Sequence, residues 1–237
     1  MSAGALLLLG LLFGMQHATE ADHLAAVATL VAREEQLGPA IRQGVFWGLG
    51  HSLTLLLFGG SVMVVGIVLS GRSVHALEGA VGVMLVLLGA DLIRRLWRDR
   101  VHFHPQVHGN DAAHATPHFH AHSHKGEPAP HDSEQHRHEH RPIPLRALLV
   151  GMVHGLAGSA ALSLLTLRQI KSPWLGLVYV LLFGLGSIAG MGVLSAIVSV
   201  PMRLSADRLT QGHVALNVAA GLFSVGLGLH VVGAQLI

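Results

Sequence analysis

Seven residues, His17-Ala18-Thr19-Glu20-Ala21-Asp22-His23, place two carboxylates and two imidazoles inside an apolar run that extends from Ala3 to about Ala32. The flanks, Leu6-Leu7-Leu8-Leu9 before and Leu24-Ala25-Ala26-Val27 after, offer nothing that solvates charge. An acidic side chain at mid-bilayer costs roughly 2.5–3.5 kcal/mol on insertion scales, and two cost about twice that unless compensated. Carboxylate and neutral imidazole are both ligands for divalent metals, so these residue types in this setting point to a bound dication.

Spacing leaves the ligand set open. On a regular helix at about 100° per residue, with His17 as origin, Glu20 falls at about 300°, His23 at about 240° and Asp22 at about 140°. An unbroken helix therefore cannot present His17, Asp22 and His23 to one small ion. Either the helix is distorted here, or Glu20 ligates while Asp22 supports by accepting the other N–H of an imidazole. His51 and His154 fall near the middle of two further apolar stretches and are expected to join the ligands or the pathway, although a lone histidine in such a helix more often bonds a neighbouring helix. His213 and His230 are weaker candidates, and His75 reads as a loop residue. Asp91, followed by Arg94 and Arg95, reads as a snorkelling helix end, and Glu78 as an interfacial charge.

The elements that must position these groups follow from composition. Of 237 residues 51% are hydrophobic and only 12% charged, with 29 glycines. A soluble domain carries about twice that charge fraction, so the chain reads as an all-α polytopic membrane protein. There is no cysteine, which excludes disulfides and thiolate metal sites. The slight excess of basic residues falls in loops and does not indicate nucleic acid. Met1-Ser2-Ala3-Gly4 lacks a positive n-region, so the first apolar run is expected to be a transmembrane helix and not a signal peptide.

Six spans are expected, at about 3–31, 39–69, 76–97, 145–167, 173–200 and 213–236. The first, second and fifth exceed the roughly 20 residues needed to cross and should be tilted or locally broken. Twelve of the fifteen Lys and Arg lie in the loops after spans one, three and five, leaving Arg72, Arg168 and Lys171 on the other side. Both termini are then outside and the central loop is cytoplasmic, in a multi-pass protein of the cell (inner) membrane.

The chain also repeats. Gly14-Met15-Gln16-His17 is echoed by Gly151-Met152-Val153-His154, Gly48-Leu49-Gly50-His51 by Gly184-Leu185-Gly186-Ser187, and Gly82 with Gly89 by Gly221 with Gly228. Three spans per half make a 3+3 inverted repeat, residues 1–100 and 145–237, with a site at the midplane. Opposite Glu20, Asp22 and His23 the second half has only Ala157, Ser159 and Ala160. A pseudo-two-fold axis would bring His17 and His154 together, with Gly151, Gly155 and Gly158 letting span four approach span one.

Between the halves, residues 101–144 contain twelve of the nineteen histidines. Among these, His118, His120, His122, His124, His136, His138 and His140 form the densest runs. With almost no apolar periodicity this loop should be disordered, and tracts of this kind bind metal.

His17-Ala18-Thr19-Glu20-Ala21-Asp22-His23-Leu24 resembles the His-x4-Asp-His signature of the nickel/cobalt transporter superfamily, and Gly50-His51-Ser52 resembles that family's second motif. Gly151-Met152-Val153-His154-Gly155 fits its six-span, urease-accessory-type branch. The resemblance implies transport of Ni2+, with Co2+ as a further substrate, and no permanent cofactor. It marks His17, Asp22, His23 and His51 as needed for transport; Ser52 and Gly155 would support the pathway. Glu20 stands where that family usually has Asp. The expected activity is uptake through the midplane site into the His-rich loop, for metallochaperones or nickel-enzyme maturation proteins. No nucleotide-binding P-loop is present, so the driving force must be an ion gradient or a partner. The rivals are efflux by the same superfamily and an intramembrane metalloenzyme, which would lack a His-Glu-x-x-His arrangement.

Overall fold

Long apolar stretches close their backbone hydrogen bonds internally, and this chain does so as helices along nearly all its hydrophobic length. The computed structural model describes residues 3–32, 34, 36–61, 70–98, 102–106, 118–122, 144–169, 172–208 and 210–235. Among the described residues seven α-helices follow in order: α1 (Ala3–His17), α2 (Ala21–Val31), α3 (Leu37–Thr54), α4 (Gly71–Arg98), α5 (Leu145–Gln169), α6 (Pro173–Arg208) and α7 (Thr210–Ala234). A π-helical turn, Leu55–Gly59, continues α3. Gly71–Arg98, Trp174–Ser205 and Gly212–Ala234 are long and apolar enough to cross a membrane, while Leu7–His17, Ala21–Val31 and Leu145–Ala157 are shorter apolar helices.

Within the His-rich segment two five-residue strands, His102–Gln106 and His118–His122, pair antiparallel with His102 opposite His122. His118, His120 and His122 are therefore described by backbone only. His124, His136, His138 and His140, and the expectation of disorder around them, lie outside the described residues.

Of the stretches expected to be tilted or broken, the first is broken between α1 and α2. By contrast α6 runs 36 residues without interruption, with Pro201 inside its last turns. At 1.5 Å per residue it spans about 54 Å, well beyond a hydrocarbon core of about 30 Å.

Helix α1 packs on α6, α5 on α3, α3 on α6, and α4 on α7. This pattern maps onto itself when the two halves are exchanged, and the glycines show it at atomic scale. A Cβ on Gly14 would lie 2.0 Å from the Phe183 carbonyl oxygen, and one on Gly151 2.0 Å from that of Trp47. Likewise Gly50 meets Leu148 O at 2.1 Å and Gly186 meets Leu11 O at 2.1 Å. Between α4 and α7, Gly82 faces Gly228 while Gly89 faces Gly221. Each contact in one half has its mate in the other, so the duplicated glycines are close-approach points between helix backbones.

One expectation is corrected. Span four does not lie along span one: Gly151 and Gly155 abut Trp47 and His51 of α3, and span one abuts α6 instead. The physical reason is the symmetry itself, since a two-fold axis that pairs α1 with α6 must pair α5 with α3. His75, expected in a loop, sits in the first turns of α4 and bonds Gln235 at 2.5 Å.

The core beneath these contacts is small-residue packing around Ala18, Ala25, Ala26, Val27, Val31, Trp47, Leu85 and Met191. Large apolar side chains such as Leu12, Leu87, Ile197, Leu222 and Leu229 point outward, as a lipid-facing surface requires.

Candidate metal site

The break after His17 builds the site. Ala18 and Thr19 leave the helix, and Glu20 adopts extended backbone angles (φ −63°, ψ 152°). Thr19 N–H bonds Gln16 O at 2.9 Å and Glu20 N–H bonds His17 O at 3.1 Å, which tightens the last turn of α1. The Thr19 hydroxyl also donates to Gln16 O at 2.7 Å. Helix α2 then restarts, with Leu24 N–H bonding Glu20 O at 2.9 Å. Of the two arrangements the spacing allowed, the chain takes the distorted helix.

That distortion swings His23 back over His17, so their ring centroids are 4.4 Å apart. His51 from α3 completes the group, with its ring 5.3 Å from both. Ring nitrogens of His17, His23 and His51 lie within 4.8 Å of one another, as do donor atoms of Asp22, His23 and His154. His23 thus belongs to two overlapping triads. His17 and His154, expected to meet across the axis, are bridged by it, since His23 and His154 are 4.2 Å apart.

Both carboxylates hold imidazoles. His17 Nδ1–H donates to Glu20 Oε1 at 2.8 Å. Asp22 Oδ1 accepts from the His23 backbone N–H at 2.8 Å and from its Nδ1 at 2.9 Å; Oδ2 accepts from His154 Nε2 at 3.0 Å. A ring nitrogen that donates to a carboxylate leaves its partner nitrogen as a lone pair, the form a metal binds. His17 Nε2, His23 Nε2, His154 Nδ1 and both nitrogens of His51 are buried with no hydrogen-bond partner. An unpaired buried polar atom costs about 1–3 kcal/mol. Neutral imidazole nitrogens of this kind are donors a divalent cation could satisfy. Ligand nitrogens around a first-row dication at about 2.0–2.1 Å sit roughly 3–3.5 Å apart, so a modest side-chain closure would complete the shell.

Residues marked as pathway support have packing roles here. Ser52 Oγ donates to Gly184 O at 2.9 Å, and a Cβ on Gly155 would lie 2.4 Å from His51 O. Together they fix α3, and hence His51, between α5 and α6. His213 is a satisfied structural histidine: Nδ1 donates to Met202 O at 3.1 Å and Nε2 accepts from Asn217 at 2.9 Å.

Sequence reasoning passed over three features. Trp47 lies 5.3 Å from His23 and 5.7 Å from His154, and Phe183 lies 5.3 Å from His17. These aromatics are repeat mates, each four residues before His51 or Ser187, so aligning the halves would have exposed them. Glu78 and His230 line a cavity of about 850 Å3 together with His17, Glu20, Asp22, His23 and His154. Asp91 is no simple snorkelling end: Arg95 bonds it at 2.7 Å, and Arg146 bonds it at 2.9 Å, tying α4 to α5.

Against known proteins, residues 3–232 match the NicO family, described as high-affinity nickel-transport protein. A urease accessory protein, UreH, of Bacillus sp. (strain TB-90) is 34% identical over 227 residues, covering 95% of this chain and 90% of that protein. No solved structure matches.

Proposed function

Because the chain belongs to the NicO family of high-affinity nickel-transport proteins, we propose that His17, His23 and His51 are the transient ligands through which it carries nickel across the bilayer. It is a membrane protein and a transporter, not an enzyme. We infer entry from outside, Co2+ as a second substrate, six crossings with both termini outside, and a cytoplasmic His-rich loop that receives the ion.

The observation that carries the reading is the convergence of three imidazoles from α1, α2 and α3, with a nitrogen of each within 4.8 Å of the others and each ring carrying a buried nitrogen without a partner. Imidazole suits Ni2+, and Co2+ accepts the same donors. Glu20 and Asp22 orient the rings and offset the charge. His154, on the far side of Asp22, offers the next position, with His23 shared between the two.

Direction is supported by the shape of the molecule. The cavity of about 850 Å3 reaches the histidines from the end of the bundle that bears Glu78, His230 and Gln235. The opposite end holds a cavity of about 130 Å3 lined by Asp91, Arg95 and Arg146 among others. Arginines mark the cytoplasmic side, so the wide opening faces out and gives an external ion a route to the histidines. The relative's description as a urease accessory protein suggests where the metal goes: to maturation of a nickel enzyme such as urease, through metallochaperones. The test is radioactive nickel accumulation in cells expressing the chain. Wild type should accumulate nickel and His17→Ala should not; net loss of nickel on expression would mean efflux, and accumulation by His17→Ala would remove the site.

A further inference from the structure

We propose that Glu78 and His230, with Glu20, form an antechamber that collects the hydrated divalent cation before it reaches the three histidines. The inference rests on the proposed transport site and adds residues to it. Nothing in the His17–His23 motif points to this pair, because they come from α4 and α7, far along the chain.

Their setting is the wall of the cavity, with Glu78 half-buried and His230 exposed. Glu78 and His230 line the same cavity as Glu20, and that cavity's floor includes His23 and His154, which are 1% and 2% exposed. Each of those two rings carries an unpartnered buried nitrogen. The floor therefore ends in metal donors, and the walls above it carry carboxylates. No lysine or arginine is among the described residues lining the cavity. The other cavity has the reverse character, with Arg95 and Arg146 beside its acids.

The walls are also held in place. Glu78 sits one turn before Gly82, where a Cβ would lie 2.8 Å from Gly228 O, and His230 follows just after Gly228. Both residues thus flank a close approach of α4 and α7, so their backbones are set by packing and their side chains are available for another task. A concave site of one charge sign concentrates counter-ions and raises association rates by about 10-fold or more. Carboxylates hold a hydrated ion through its water, and the imidazoles below then replace that water. Glu20 stands at the junction, since it lines the cavity and accepts from His17 at 2.8 Å.

The experiment measures nickel-chloride uptake by vesicles holding the full chain, over a range of nickel concentrations and at low and high ionic strength. Glu78→Gln with His230→Ala should raise KM about 10-fold while the maximal rate holds, and should remove the salt dependence seen at low nickel. With the twelve histidines of residues 102–140 changed to serine, equilibrium nickel binding to the purified variant should stay within about twofold of the same protein with Glu78 and His230 intact, because the three site histidines are untouched. Glu78→Asp keeps the carboxylate and should keep the KM. An unchanged KM in the double variant overturns the proposal, as does a fall in maximal rate alone or an equal KM defect in Glu78→Asp. His17→Ala run in parallel separates the two ideas: its loss of uptake beside an unaffected Glu78→Gln/His230→Ala rejects the antechamber and leaves the transport site standing.

Discussion

The two halves share one scaffold and differ where the chemistry is. In the first, the helix breaks at Ala18–Glu20; in the second, α5 runs unbroken from Leu145 to Gln169 through the equivalent positions. Glu20, Asp22 and His23 face Ala157, Ser159 and Ala160 in the repeat, and His51 faces Ser187. The Ser187 hydroxyl donates to Gly14 O at 3.2 Å, a packing bond where its mate is a bare imidazole. Yet the glycine contacts are matched, 2.0 Å at Gly14 and 2.0 Å at Gly151. Helix packing was kept in both halves while ligands accumulated in one, so fold and site are separable in this molecule.

That separation can be broken most severely at His23, which stands in both triads. His23→Ala should abolish uptake, a loss of about 100-fold or more, whereas Ala157→Ser in the second half should leave it unchanged; nickel accumulation in cells reads both. Asp22→Asn comes next. The amide cannot accept from two imidazoles and present no donor, so nickel affinity by equilibrium dialysis, in protein whose histidines at 102–140 are changed to serine, should fall by about 10–100-fold with folding intact.

The scaffold gives a matched pair. Gly14→Val and Gly151→Val should each lower stability by about 1–3 kcal/mol or prevent folding, and by similar amounts, because each adds atoms against a carbonyl at the same distance. Thermal unfolding in detergent compares them; a large inequality would contradict the symmetry. The smallest effect is expected at Ser187→Ala, which loses one hydrogen bond of about 0.5–1.5 kcal/mol and should retain nickel uptake, while His51→Ala, its repeat mate, should lose it.

Much of this was legible in sequence. Carboxylates and imidazoles in an apolar run pointed to a candidate metal site, and the histidines expected to join it, His17, His23, His51 and His154, are gathered in one place. The kink was legible only as one of two alternatives. Ala18 and Thr19 are compatible with helix, and only the impossible angle between His17 and Asp22 hinted at a break. Helix partners were misread for a similar reason: a row of glycines declares a close approach without naming the neighbour, and Gly151 and Gly155 met α3 where α1 was expected. Glu78 and His230 escaped because their role depends on a cavity between helices distant in sequence. Asp91 escaped because its bond to Arg146 crosses from α4 to α5.

Nickel-edge X-ray absorption on purified, nickel-loaded protein tests the site directly, provided the twelve histidines of residues 102–140 are first changed to serine. Imidazole nitrogens at about 2.0–2.1 Å should be seen, and His17→Ala, His23→Ala and His51→Ala should each remove part of that signal. An undiminished imidazole signal in all three variants would mean that the ion is held elsewhere.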